Sequence, residues 1–178
     1  MIDRRDWQRS KVYAWEERFV VPHDPSLVAF THAQGMVDAI WVDMGLRFPP
    51  KVERLPRQAR CTLADASRLS IRLADHNPSW CLLHELAHAM SSTHDERSDG
   101  HGPKFMGLYI QLLIRYLRLS ADALFKSLDT AGIDVDAQAK PVFLDDVPIQ
   151  SNPDDATRSG ATSGHRRRSR KERRRPVA

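Results

Sequence analysis

The sequence predicts an α+β fold in which a small antiparallel sheet packs on helices. Apolar residues recur at steps of three and four over about residues 25–45, 78–91 and 103–117, the spacing of a buried helix face. Apolar and polar residues alternate over residues 69–73, which is typical of a half-buried strand. A chain of 178 residues is long enough to bury a hydrophobic core in one domain.

Charge and composition divide the chain into a domain and a tail. Residues 151–178 carry nine Arg or Lys residues against three acidic residues, so their net charge is +6. The rest of the chain carries 18 basic and 20 acidic residues, a net charge of −2. Apolar residues almost vanish after residue 151, and such a composition does not form a packed core. We predict one domain over residues 1–150 and a disordered, Arg-rich basic tail over residues 151–178.

The cysteine content and the lack of long apolar stretches predict a cytoplasmic protein. Cys61 and Cys81 do not suggest a disulfide scaffold. The first residues contain no apolar core of signal-peptide length, and no stretch approaches the length of a membrane span. We therefore expect a soluble protein in a reducing compartment, without a membrane partner.

Two helices are predicted before the sheet. Residues 3–20 place aromatic and apolar side chains among charges at roughly helical spacing, which indicates a short amphipathic helix. Asp24 followed by Pro25 is a typical pair of N-cap and first-turn residues. This pair predicts that the second helix runs over residues 25–45.

The sheet is predicted from two extended stretches and the turn between them. Residues 51–55 and 69–73 are the predicted strands, and residues 64–67 are the predicted turn. Asn77 and Pro78 have the residue types favoured at the N-cap and the first position of a helix. They predict that the next helix begins at residue 78. Ser120 and Gly132, as a cap and a stop, likewise predict a short helix between them near the end of the domain.

This helix carries His84-Glu85-Leu86-Ala87-His88, an H-E-x-x-H pattern. Two histidines four residues apart lie on the same face of a helix and can share one tetrahedral zinc ion. The glutamate between them would lie beside the open position of the metal. Cys81 stands one turn before His84, where we expect a small packing residue rather than a ligand. The pattern predicts a zinc-dependent hydrolase.

A catalytic zinc normally has three protein ligands and a water, so a third ligand is needed. The candidates after the motif are His94, Glu96, Asp99 and His101. His101 is favoured because it directly precedes Gly102-Pro103, where the next helix is predicted to begin, and a rigid element supports a ligand better than a loop does. His94 has the spacing of the metzincin signature, but the glycine and the later methionine of that signature are missing.

The predicted mechanism is hydrolysis by a zinc-activated water, with Glu85 as the general base. A further donor should stabilise the anionic oxygen of the reaction, and His76, Tyr109 and Arg115 are candidates with no choice made among them. The strand at residues 69–73 is expected to present an open edge with which an extended peptide can pair.

The stretch HELAH followed by GHGPKF resembles the SprT-like zinc metallopeptidases, including the Spartan type, in which H-E-x-x-H precedes a histidine in an H-G-P-x-F context. The resemblance implies a minimal zincin-like domain, zinc ligands at His84, His88 and His101, and a catalytic base at Glu85. It spans about residues 25–120, and its specific motifs lie in residues 80–105. The stretch QRSKVYAWE and the chain length are more similar to small bacterial proteins classed as metallohydrolases, whose substrates are unassigned.

We therefore predict a zinc metallohydrolase that acts as a peptidase on a peptide or protein substrate. One alternative is a zinc hydrolase of a non-peptide substrate. Another is a non-catalytic, metal-stabilised protein associated with nucleic acid, against which the intact Glu85 argues. The run Arg166–Arg175 is either a solubilising tail or a contact for nucleic-acid phosphates. Fluorescence anisotropy with DNA and RNA distinguishes these two roles, because equal binding with and without residues 151–178 would exclude the second.

Overall fold

The computed structural model describes residues 6–56 and 64–144, which lie within a compact unit spanning residues 1–145. The fold is α+β, as predicted. The helices are α1 (Arg9–Trp15), α2 (Phe30–Asp43), α3 (Ser79–Ser91), α4 (Pro103–Tyr116) and α5 (Ala121–Ala131), and the strands are β1 (Leu27–Ala29), β2 (Lys51–Arg54), β3 (Ala64–Ala66), β4 (Ser70–Leu73) and β5 (His76–Pro78). The predicted domain end at residue 150 and the basic tail with Arg166–Arg175 lie outside the described residues.

The predicted first helix extends beyond α1. Helix α1 continues as a π-helical turn over Glu16–Val20 and a 3-10 turn over Val21–His23. We call residues 6–23 the N-terminal segment. Its apolar stripe is buried in the core through Val12, Trp15 and Val20, and two of its polar residues, Gln8 and Glu16, are buried as well.

The strands form two sheets, and one pairing differs from the prediction. Strands β1 and β5 pair antiparallel, whereas the other sheet has the order β2-β4-β3. In that sheet β3 is antiparallel to β4, but β2 is parallel to β4. The predicted all-antiparallel sheet is therefore wrong. Alternation of apolar and polar residues shows which face of a strand is buried, and it contains no information on the direction of the neighbouring strand.

The predicted turn at residues 64–67 is mostly strand β3, and the turn lies at residues 67–70 instead. The Ser67 side chain accepts a hydrogen bond from the backbone N–H of Ser70 at 3.1 Å. Across the strands, Arg72 binds both carboxylate oxygens of Asp65, at 2.6 and 2.8 Å. Because β3 takes the outer position, β4 is the central strand, and the prediction of an open edge at residues 69–73 is wrong.

Two residues predicted to cap helices have other partners in the structure. The second helix begins at Phe30 rather than at residue 25, because Leu27–Ala29 pairs with β5. Asp24 does not cap this helix. Its carboxylate instead accepts hydrogen bonds from the Ser79 hydroxyl at 2.6 Å and the Trp80 backbone N–H at 2.7 Å, at the start of α3.

Asn77 is accordingly not the N-cap of α3, which begins at Ser79 after Pro78. The Asn77 side chain is buried and bonds the backbone of Ala74, with its amide donating to the carbonyl oxygen at 2.9 Å. Asn77 therefore closes the turn between β4 and β5. Asp24 instead accepts the hydrogen bonds at the start of α3, where the helix dipole favours a carboxylate.

Helices α3 and α4 form the centre of the core. Most α3 side chains are buried, and they pack on a broad apolar face of α4, as the spacing of its residues predicted. Helix α5 has its predicted limits, with Ser120 accepting from the Ala123 N–H and Gly132 in the left-handed conformation. Among the helices of residues 6–56 and 64–144, none has the length and apolar character to cross a membrane.

Candidate metal centre

Helix α3 presents the two histidines of the H-E-x-x-H motif to one cleft. The Nε2 atoms of His84 and His88 are 3.1 Å apart. A tetrahedral zinc with Zn–N bonds of about 2.0–2.1 Å separates its nitrogen ligands by about 3.3 Å. The one-turn spacing on α3 therefore sets nearly the separation that two zinc ligands require.

His101 joins these histidines from the loop that precedes α4. One ligand atom from each of His84, His88 and His101 lies within 4.8 Å of the others. The loop is held by Asp99, whose carboxylate accepts from the backbone N–H groups of Lys104 at 2.8 Å and Phe105 at 3.3 Å. This makes Asp99 a cap for α4, so its oxygens are already engaged.

Gly102 is needed for this arrangement. A Cβ at residue 102 would lie 2.6 Å from the Asp99 carboxylate, so a larger residue would displace the cap and the loop with it. His94 and Glu96 lie exposed in the turn before Asp99, and neither joins the described metal cluster. Of the sequence-based candidates, the described structure thus brings His101 to the two motif histidines and leaves the other three outside.

A carboxylate stands behind each of two histidines, and that of Glu16 is buried whereas that of Asp6 is partly exposed. His84 Nδ1 is 2.6 Å from Glu16 Oε1, and His101 Nδ1 is 2.8 Å from Asp6 Oδ1. Asp6 also accepts from the His101 backbone N–H at 3.0 Å. An Nδ1–H that donates to a carboxylate leaves the Nε2 lone pair available, which is the usual arrangement behind a zinc-binding histidine.

One buried atom of this cluster has no partner. His101 Nε2 is inaccessible to solvent and forms no hydrogen bond with any described residue. A buried ring nitrogen without a partner is costly unless something else binds it. The cluster offers three imidazole nitrogens on one side of an open cleft, and this donor set fits a zinc ion with a further position free.

The surroundings of two of the three histidines, His88 and His101, favour the neutral form that binds metal. Burial, followed by the charges of His84 and His101, holds the pKa of His88 well below its usual value. Burial also lowers the pKa of His101, although the hydrogen bond to Asp6 opposes this. For His84 burial acts in the same direction, but the bond and charge of Glu16 outweigh it and the pKa is raised. Neutral imidazole is the form that binds metal.

Glu85 is buried beside the cluster and lines the cleft. Burial raises the pKa of its carboxyl to about 7, against the opposing effect of a charged His84. A base with a pKa near neutrality is well matched to taking up and releasing a proton in catalysis.

The cleft has a volume of about 770 Å³ and is bounded by three elements. The N-terminal segment forms one wall, strand β3 borders it, and α3 contributes its histidines together with Trp80 and Cys81. Cys81 is not part of the metal cluster. Burial raises the pKa of its thiol, which agrees with the packing role predicted for it.

The three oxyanion donors suggested by the sequence do not line the cleft. His76 is exposed on β5, and Arg115 forms an ion pair with Asp43 at 2.6 Å. The Tyr109 ring lies 5.4 Å from the His84 ring, but the residue is fully buried in the core. Burial and then the charge of Glu16 raise its pKa well above the usual value.

Sequence reasoning missed the contribution of the N-terminal segment. Asp6, Arg9, Tyr13 and Glu16 all line the cleft, and they follow one another at steps of three, four and three. This spacing marks one face of a helix. The pattern was visible in the sequence, but a polar helix face normally contacts solvent, so it gave no reason to place these residues at the motif.

Comparison with protein-family models, curated proteins and solved structures finds no match to the chain.

Proposed function

We propose that this protein is a zinc metallohydrolase, with His84, His88 and His101 as the zinc ligands and Glu85 as the general base. The observation that carries the proposal is the convergence of three imidazole side chains beside a buried glutamate, with carboxylates behind two of them. The resemblance of residues 80–105 to SprT-like zinc metallopeptidases supports the same assignment and a zincin-like fold.

The residues have separate parts in the proposed reaction. A zinc ion in this site would supply a Lewis acid that activates water and polarises the scissile carbonyl. Glu85 accepts a proton from the water as its oxygen adds to the carbonyl carbon, and delivers it to the leaving nitrogen as the C–N bond breaks. Asp6 and Glu16 hold His101 and His84 in the required orientation. The first products are a carboxylic acid and an amine, and transfer of the second proton of the water from the acid to the amine leaves a carboxylate and an ammonium group.

A peptide is the substrate that the shape of the cleft favours. Strand β3 (Ala64–Ala66) borders the cleft and is the last strand of its sheet, so in the described part of the chain its outer edge is unpaired. An extended peptide can add to such an edge through backbone hydrogen bonds. This edge takes the role that the sequence had suggested for residues 69–73.

The test combines metal analysis with a substitution at the base. Glu85→Gln should retain zinc at the wild-type stoichiometry and lose hydrolysis of casein, because an amide cannot accept the proton of the water. Glu53→Gln, on β2 and outside the cleft, controls for the same chemical change. Full activity of Glu85→Gln would contradict the mechanism. Zinc binding by the wild type without hydrolysis of any peptide would instead favour the non-peptide or non-catalytic alternative.

A further inference from the structure

The proposed reaction needs a hydrogen-bond donor for the carbonyl oxygen of the substrate. When water adds to an amide carbonyl, the carbonyl oxygen becomes anionic, and hydrolases stabilise it with donors that are held in place before the reaction. The cleft is rich in carboxylates, which cannot donate when ionised. Among the side chains of the cleft, the candidate donors are therefore the few other polar ones that line it.

Three lining side chains outside the histidine cluster carry strong N–H or O–H donors: Arg9, Tyr13 and Trp80. Only Tyr13 among them packs against the metal-site histidines in the described structure. Its ring lies 5.0 Å from the His101 ring, edge to face, and 5.9 Å from the His84 ring. Tyr13 is also 43% exposed, so a ligand in the cleft can reach it.

Arg9 adds a positive charge beside this tyrosine. It lies one helical turn earlier, and its guanidinium carbon is 5.4 Å from the centre of the Tyr13 ring. No described carboxylate forms an ion pair with Arg9, although its charge lies in a cleft lined by Asp and Glu. A cation close to a hydroxyl strengthens the hydrogen bonds that the hydroxyl donates to an anion.

The position of both side chains is set by the same segment that holds the histidines. Asp6, the first residue of this segment, contacts His101, and Glu16 in its middle contacts His84. Arg9 and Tyr13 lie between these two contacts on the same helix face. The donors are thus fixed relative to the metal site, as electrostatic stabilisation of a transition state requires.

We propose that the Tyr13 hydroxyl donates a hydrogen bond to the substrate oxygen that becomes anionic, with Arg9 as the positioning residue that strengthens it. This inference rests on the proposed function. No proton leaves Tyr13, and the proton balance of the reaction remains with Glu85. The ligand class that the pair recognises is a tetrahedral anion next to a peptide backbone.

Kinetics give the first test. Tyr13→Phe keeps the ring contacts with His84 and His101 but removes the hydroxyl, so kcat should fall by about 100-fold or more, with zinc content and KM little changed. Arg9→Lys should retain more of kcat than Arg9→Met does. Tyr116→Phe removes a hydroxyl that is bound to Asp43 outside this cleft, and it is the matched control. A wild-type kcat in Tyr13→Phe would overturn the proposal.

A binding measurement separates this inference from the proposed activity. A phosphinic tetrapeptide with alanine on both sides of the phosphinate mimics the anionic tetrahedral state. Calorimetry with the zinc-loaded proteins should show about 10- to 100-fold weaker binding by Tyr13→Phe than by wild type, the effect of one hydrogen bond to a charged group. Equal affinity, or no binding by the wild type, would overturn the inference. If the wild type binds the phosphinate but hydrolyses no peptide, the proposed peptidase activity is contradicted. The Tyr13 contact is then judged only by comparing the phosphinate affinities of the wild type and Tyr13→Phe.

Discussion

Helix α3 and the N-terminal segment meet at the same cluster of histidines, but they contribute in opposite ways. Helix α3 provides two candidate ligands and the base from five consecutive residues, His84 to His88. The N-terminal segment provides no ligand. Its Glu16 and Asp6 reach partners that are 68 and 95 residues away in the chain. The ligands are thus local in sequence, whereas the groups that orient them are distant.

This difference explains which residues of a metal site form a motif that can be detected in a sequence. Two ligands one helical turn apart need a fixed spacing, and this spacing forms a motif. A carboxylate that orients a histidine needs only to arrive at its Nδ1 from any direction, so it obeys no spacing rule. Substitutions at the ligands and at the orienting groups should therefore reduce zinc binding to different extents.

Substitution of a ligand should have the largest effect on zinc binding. His101→Ala should lose most of its zinc after dialysis, because only two protein ligands would remain. His94→Ala, in the exposed turn before it, should retain the wild-type amount of zinc. Zinc per chain is measured by inductively coupled plasma mass spectrometry. If His101→Ala keeps full stoichiometry and His94→Ala does not, the third ligand is His94.

Substitution of a carboxylate that orients a ligand should reduce zinc binding less. Glu16→Gln should weaken zinc binding by about 10- to 100-fold, since the charge that polarises His84 is lost while the ligand stays. Competition with a chromophoric chelator measures this affinity. The exposed neighbour Glu17 makes the control, and Glu17→Gln should bind zinc as the wild type does. Equal affinities for all three proteins would mean that the N-terminal segment only packs against the site.

The third prediction concerns the stability of the fold, at the contact that holds the start of α3. Asp24→Ala leaves the Ser79 hydroxyl and the Trp80 N–H without their acceptor. The free energy of unfolding should fall by about 1–3 kcal/mol, as is typical when buried donors lose their partner. Urea unfolding of the metal-free protein measures this. Asp129→Ala, exposed on α5, should change stability by less than about 0.5 kcal/mol. The same stability for both variants would show that α3 does not depend on Asp24.

Much of the α-helical structure followed from local patterns. Helices α3, α4 and α5 begin and end close to the predicted residues, because their apolar spacing and terminal residues such as Ser120 and Gly132 act within a few positions. The preference for His101 over the loop candidates came from the Gly102-Pro103 helix start, and in the structure Gly102 lies against the Asp99 cap that supports this start.

The errors share one physical cause. Asp24 and Asn77 both have good N-cap chemistry, yet each is used by a partner that the local sequence does not reveal. Residues 64–67 look like a turn, but Ala64–Ala66 is held as a strand by pairing with β4 and by the ion pair between Asp65 and Arg72. Only the Asp24 contact is long-range, joining residues 55 apart, whereas Asn77 bonds three residues away and β3 pairs with the next strand in the chain. In each case a specific contact outweighed the preference of the local residue types.

Local residue spacing specifies the helices of the core and the arrangement of His84, Glu85 and His88, because helix geometry translates residue spacing directly into position in space. Tertiary packing brings His101 to them, places β3 rather than β4 at an edge of the sheet, and makes Asp6, Tyr13 and Glu16 line the same cleft. These outcomes depend on how separate elements pack, and packing is specified by contacts across the whole chain rather than by spacing within one element.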